Sequence, residues 1–90
     1  MLPNKSKMNE KFATREFYLT CLLHALNIKI VGVKKQGNVC TFEFDDVQAC
    51  NEIKQKLLTK DVAVNAADFI SSIRVIKDLI FSSEAYNAGP

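Results

Sequence analysis

The spacing of apolar positions along this chain changes from helical to alternating and back to helical. Between Arg15 and Leu26, the residues Phe17, Tyr18, Leu19, Cys21, Leu22, Leu23, Ala25 and Leu26 are apolar. At about 100° per residue they cover well over half of a helical wheel, and Glu16, Thr20 and His24 share the remaining arc. Thr14 suits the N-cap of this helix, and Asn27 suits its left-handed C′ position. A surface helix of a small domain buries one stripe, so this helix is expected to be covered on more than one side.

Ile28 to Lys35 is rich in β-branched residues, and Val39 to Asp45 alternates. Cys40, Phe42 and Phe44 fall on one face; Thr41, Glu43 and Asp45 fall on the other. Gly37-Asn38 predicts a two-residue hairpin turn. That turn sets Val33 opposite Phe42, Val31 opposite Phe44, and Lys34 opposite Thr41 and diagonal to Glu43. Ile28 and Ile30 then land on the otherwise polar face, so that end is expected to carry some cover of its own.

Helical spacing returns after the hairpin. Asp45 or Asp46 caps a helix, with Gln48 three residues after Asp45 as its capping-box partner. Its stripe is Val47, Cys50, Ile53, Leu57 and Leu58, and it ends near Thr59. Val62-Ala63-Val64 is a short extended link. Asn65 caps the last helix, with Asp68 in its first turn and a stripe of Phe69, Ile70, Ile73, Ile76 and Ile80, widened by Leu79 and Phe81. Polar residues 1–13 are expected as a flexible arm, 14–81 as one α+β domain, and 82–90 as a flexible tail. The predicted order is helix-strand-strand-helix-helix: a two-stranded antiparallel hairpin packed on three helices. An isolated hairpin is marginal and both its edges are open, so the sheet is expected to be extended by oligomerisation.

Composition narrows the function classes. Hydrophobic residues make up 48% of the 90 residues, which fits a folded domain with a single core. A net charge of +2 is too weak a bias to demand a polyanionic partner. No stretch approaches a membrane span and no secretion signal opens the chain, so a cytoplasmic protein with no membrane partner is expected. An odd count of three cysteines rules out a closed disulfide framework within one chain.

Several residues are recurrent chemical types. Cys21 and His24 share a helix face, and Cys40 and Cys50 could complete a Cys₃His zinc set. All three cysteines hold apolar-face positions, however, and no Cys-x₂-Cys pair is present; they are expected to be core residues, with no metal and no cofactor bound. Cys21 beside His24 lacks the orienting third group of a nucleophilic site. Glu43, Asp45 and Asp46 are accounted for by capping and cross-strand pairing. Gly32, Gly37 and Gly89 are isolated and form no phosphate loop. No catalytic residue is therefore expected, and the chain is not expected to be an enzyme. Lys29, Lys34 and Lys35 on the hairpin and Lys54, Lys56 and Lys60 on the second helix are candidate phosphate contacts for a nucleic-acid-binding role without sequence preference.

The elements carry a resemblance as well. Thr14 with Phe17-Tyr18-Leu19, Gly32 in the first strand, Phe42-Glu43-Phe44-Asp45, Val64-Asn65 leading to Phe69, and Lys77-Asp78-Leu79-Ile80 together make residues 14–80 resemble a small uncharacterised domain family of bacteria, tailed phages and mobile elements. The resemblance implies a phage or mobile-element accessory protein working in the host cytoplasm, and assigns no residue a role. The preferred expectation is a non-enzymatic interaction module that forms a homo-oligomer or binds another protein. Leu19, Leu23 and Leu26, which point away from Phe17, Cys21 and Ala25, are the candidate oligomer interface. Nucleic-acid binding is the alternative.

Overall fold

The computed structural model describes residues 10–88. In chain order they form β1 (Phe12–Thr14), α1 (Phe17–Ala25), β2 (Ile30–Gln36), β3 (Val39–Phe44), α2 (Val47–Leu58) and α3 (Ala66–Ala88). The class is α+β, as expected, with three helices. The sheet has three antiparallel strands rather than two, in the order β1-β3-β2.

The third strand comes from the segment expected to be a flexible arm. Phe12 pairs with Phe44, Ala13 with Glu43 and Thr14 with Phe42, so β3 is central and paired on both sides. The sheet is thus extended within the chain, where extension by a second copy was expected. Thr14 ends this strand instead of capping α1. Its hydroxyl oxygen accepts a hydrogen bond of 3.1 Å from the Glu16 backbone N–H, which turns the chain into the helix. The N-cap position is Glu16, with no side-chain cap bond. The remainder of the expected arm, residues 1–9, lies outside the described residues. At the other end α3 continues through Ala88, so residues 82–88 are helical where a tail was expected; the last two residues lie outside the description.

The hairpin turn is the expected one, with Gln36 paired to Val39 and Gly37 at φ 60°. Val33 opposes Phe42 and Lys34 opposes Thr41, as the alternation requires. Beyond Gly32 the register shifts. Gly32 pairs with Glu43, and Ile30, not Val31, pairs with Phe44. Val31 is the extra residue of a β-bulge, which turns the strand by one position. The bulge resolves the anomaly in the sequence, because it returns Ile30 to the helix-covered face and leaves Val31 exposed. That face is then Phe12-Phe44-Ile30, Thr14-Phe42-Val33 and Cys40-Lys35. The other face carries Ala13-Glu43-Gly32, Thr41-Lys34 and Val39-Gln36.

Glycine at position 32 makes room for Glu43. A Cβ there would lie 2.5 Å from Glu43 Oε1, and the Glu43 carboxylate pairs with Lys34 at 3.4 Å. Gly32→Ala alone is expected to cost on the order of 1 kcal/mol, since Glu43, whose side chain is 14% exposed, must swing aside and give up its ion pair with the exposed Lys34. In a Glu43→Ala background the same change should be neutral or gain about 0.5 kcal/mol, because alanine has less strand entropy to lose. Urea melts of the four proteins measure the coupling; strictly additive effects would contradict it.

The core forms between the covered sheet face and the helices. Leu19, Cys21, Leu23, Ile28, Phe42, Phe44, Cys50 and Ile76 are buried, with Phe12, Phe17, Ile30, Val33, Ile53, Phe69, Ile73, Leu79 and Ile80 among the residues packed around them. Burying a side chain such as Phe44 stabilises by about 1.5–3 kcal/mol. The α1 helix is enclosed by its neighbours, and its closest packing partner is α3. Even its polar arc is used. Thr20 is fully buried, with its hydroxyl donating to the Glu16 carbonyl at 2.8 Å. Nδ1 of His24 and Oγ of the buried Ser72 share a 2.7 Å hydrogen bond that ties α1 to α3.

This enclosure takes Leu19 and Leu23 of the expected oligomer interface off the surface of the single chain. Leu23 is 0% and Leu19 7% exposed within a single chain, and Leu26 is half-buried. The arc reaching past Phe17, Cys21 and Ala25 is matched by a second helix and a wider sheet, so no leucine of α1 is left over. Exposure falls instead where stripes were expected to be covered. Leu57 and Leu58 at the end of α2 are exposed, and so are Ile70 and Phe81 on α3. The α3 stripe runs through Phe69, Ser72, Ile73, Ile76, Leu79 and Ile80, which turns Ile70 outward. Asp46 caps α2 by accepting from the Ala49 N–H at 3.0 Å, while Gln48 bonds Glu52 and takes no part in a capping box. Asn65 caps α3 by accepting from the Asp68 N–H at 3.0 Å, as expected.

Candidate functional site

Three hollows are found among the described residues: two that stand apart, and a smallest of about 220 Å³, lined by Asp68, Ser71 and Ser72, that adjoins the largest at His24 and Asn27. The first lies where α1, α2, the 59–65 link and the start of α3 meet. It measures about 230 Å³ and is lined by Tyr18, Leu22, Leu57, Val62, Val64 and Phe69. None of these residues carries a charge. Leu22 forms a buried floor, and Tyr18, which projects from the first turn of α1, is 67% exposed. The left-handed backbone of Lys60, at φ 62°, reverses the chain after α2 and lays Val62 and Val64 along the rim. Leu58 and Ile70, next in sequence to two lining residues, are 74% and 52% exposed. The grouping is invisible on any one helical wheel, because the residues come from three elements and a link.

The second concavity is larger, about 560 Å³, and lies between the end of α1, β2 and α3. His24, Asn27, Ile28 and Lys29 come from the end of α1 and its connection to β2; Ile30, Gly32 and Val33 come from β2, and Leu79 from α3. Asn27 adopts φ 70°, and the N–H groups of Asn27 and Ile28 donate to the carbonyls of His24 and Leu23 at 3.0 Å each. These bonds close the C-terminus of α1 and hold the connection in place.

The cysteines are scattered through the core. Cys21 and Cys50 are fully buried and Cys40 is half-buried on the hairpin. Burial pushes the Cys21 thiol from 9.0 up to about 11, partly offset by a backbone hydrogen bond and the charge of Lys77. Burial, with added repulsion from Asp46 and Asp45, pushes the Cys50 thiol up to about 11 as well. Thiols raised in this way are poor metal ligands and poor nucleophiles at neutral pH. His24 is directed to Ser72, and among the described residues no three of His, Cys, Asp and Glu are placed to hold a metal ion.

The candidate nucleic-acid lysines do not converge. Lys34 and Lys35 project to opposite faces of the sheet, and Lys34 is paired with Glu43. Lys29 precedes β2 at the end away from the hairpin turn. Lys54 and Lys56 lie about 160° apart around α2, and Lys60 follows the helix in the reversing turn. The uncovered sheet face carries no aromatic side chain on which a base could stack.

None of the described helices is long and apolar enough to cross a membrane. No protein-family model, no curated protein and no solved structure matches the chain.

Proposed function

We propose that this chain is a non-enzymatic interaction module whose contact surface is the apolar groove between Tyr18 and Phe69, and that the surface pairs with the same surface of a second copy. The observation that carries the reading is the groove itself: a hollow lined by uncharged side chains, two of which, Tyr18 and Leu57, are themselves exposed and project from its wall. A patch that holds both a hollow and a projection can be complementary to itself across a two-fold axis. Exposed apolar side chains clustered in this way mark contact surfaces. Self-association thus moves from the α1 leucines to the far ends of α1 and α2. Nucleic-acid binding is the weaker reading, because the lysines lie on separate surfaces.

Light scattering at about 100 µM, where a dimer of micromolar affinity is largely formed, is expected to give twice the chain mass. Leu57→Glu should return the mass to a monomer with the helical circular dichroism and melting temperature nearly unchanged, since Leu57 lines the groove, is 45% exposed and stands outside the core cluster. A monomer mass for the unsubstituted protein, or a dimer indifferent to Leu57→Glu, would refute this reading.

A further inference from the structure

The larger cavity is separate from the contact surface proposed above. We infer that it binds a small amphipathic anion, a carboxylate carrying an alkyl or aryl body of about ten carbons. A cavity of about 560 Å³ is of the size that holds small ligands, which run from about 300 to 1,000 Å³. Its lining divides in two. Ile30, Val33 and Leu79, from β2 and α3, offer an apolar bed, and the bulge places side-chain-free Gly32 beside them. His24, Asn27 and Lys29, from the α1 end, offer polar groups.

The charge of those groups selects the head of the ligand. The lining itself holds no carboxylate: Glu43 sits behind Gly32, paired with Lys34, and Asp68 lines a smaller adjoining hollow that shares His24 and Asn27, while Lys29 makes no ion pair among the described residues. Ser72 engages Nδ1 of His24, which fixes the ring and leaves Nε2 for a ligand. One ammonium with an imidazole and an amide suits a single negative charge accepting several hydrogen bonds. An extended peptide laid along β2 is a poorer fit. The bulge at Val31 interrupts the edge, and Lys34 and Lys35 follow it, both devices that discourage strand addition.

The test is an NMR titration of the full chain with sodium decanoate up to about 1 mM, with decanol as the uncharged control, on the natural protein and on Lys29→Glu. Lys29 is exposed, so the variant should fold normally. Saturable shifts are expected at His24, Ile30 and Leu79. Lys29→Glu should weaken decanoate about tenfold, as loss of a charge-assisted contact does, and leave decanol within about twofold. The inference fails if decanoate gives no saturable shift, if the shifts map to Tyr18 and Phe69, or if Lys29→Glu leaves decanoate binding unchanged. Protection of β2 amides by an extended peptide, with no response to decanoate, would also overturn it.

Discussion

Leu23→Glu is expected to unfold the protein, not to dissociate it. Leu23 has no exposed surface and packs in the cluster that includes Phe42, Phe44 and Ile76. A carboxylate in its place loses the leucine packing and has no described cation within the core to meet it. Deleting a buried leucine costs about 2–5 kcal/mol, and burying an unpaired charge or forcing it to take up a proton adds to that. Domains of this size are stable by about 5–15 kcal/mol, so the sum approaches or exceeds the whole. Far-UV circular dichroism should show loss of helix at 25 °C or a melting temperature lowered by tens of degrees. Leu19→Glu should behave similarly, whereas Leu58→Glu should melt like the natural protein. A folded Leu23→Glu monomer with an unchanged melting temperature would put Leu23 at an interface and contradict the enclosed α1 described above.

Raising the pH through the range 9 to 11 is expected to cost on the order of 2 kcal/mol for each of the two buried thiols. In the unfolded chain a thiol ionises near its ordinary value of 9.0; in the folded chain Cys21 and Cys50 keep their protons until about 11. Below pH 9 both states hold the proton and the thiols leave stability unaffected by pH. Between the two values only the unfolded chain releases it, so the equilibrium is drawn toward unfolding as pH rises. Urea midpoints taken at half-unit steps should fall more steeply for the natural protein than for Cys21→Ala/Cys50→Ala. The two proteins differ in no other ionisable group, so the difference between the profiles isolates the thiols. Parallel profiles would rule them out as the source.

The hairpin, its turn, the lower part of its register and two helix caps were legible in the sequence because each rests on a local rule: alternation, Gly37-Asn38, Asp46 and Asn65. What escaped depends on distant partners. Phe12-Ala13-Thr14 is too short to show alternation, and it becomes a strand only because β3 offers an edge. The bulge left a trace, since Ile28 and Ile30 conflicted with the polar face, but a conflict of one residue in a strand does not say where the extra residue sits. The apolar excess of α1 was visible; that it is satisfied by α3 and a wider sheet was not, because a helical wheel records how much surface needs cover and not what supplies it. For the same reason Leu57, Leu58 and Ile70, which continue their stripes in sequence, emerge exposed where the neighbouring elements stop. The groove at Tyr18 and the cavity at His24 each draw on three or more chain segments, so no spacing within one of them could announce either.

The strand order β1-β3-β2 also has a consequence in time. β1 is the first of the described elements to leave the ribosome, yet its partner residues, Phe42 to Phe44, are about thirty positions downstream. At about 5–20 residues per second, roughly 1.5 to 6 seconds of synthesis separate them. Throughout that interval Phe12 has no strand to join, while α1 and the β2–β3 hairpin can close through contacts near in sequence. The sheet is therefore completed backwards: its oldest strand takes its place after the two younger ones, and the nascent chain carries Phe12 without a strand partner until the hairpin is made.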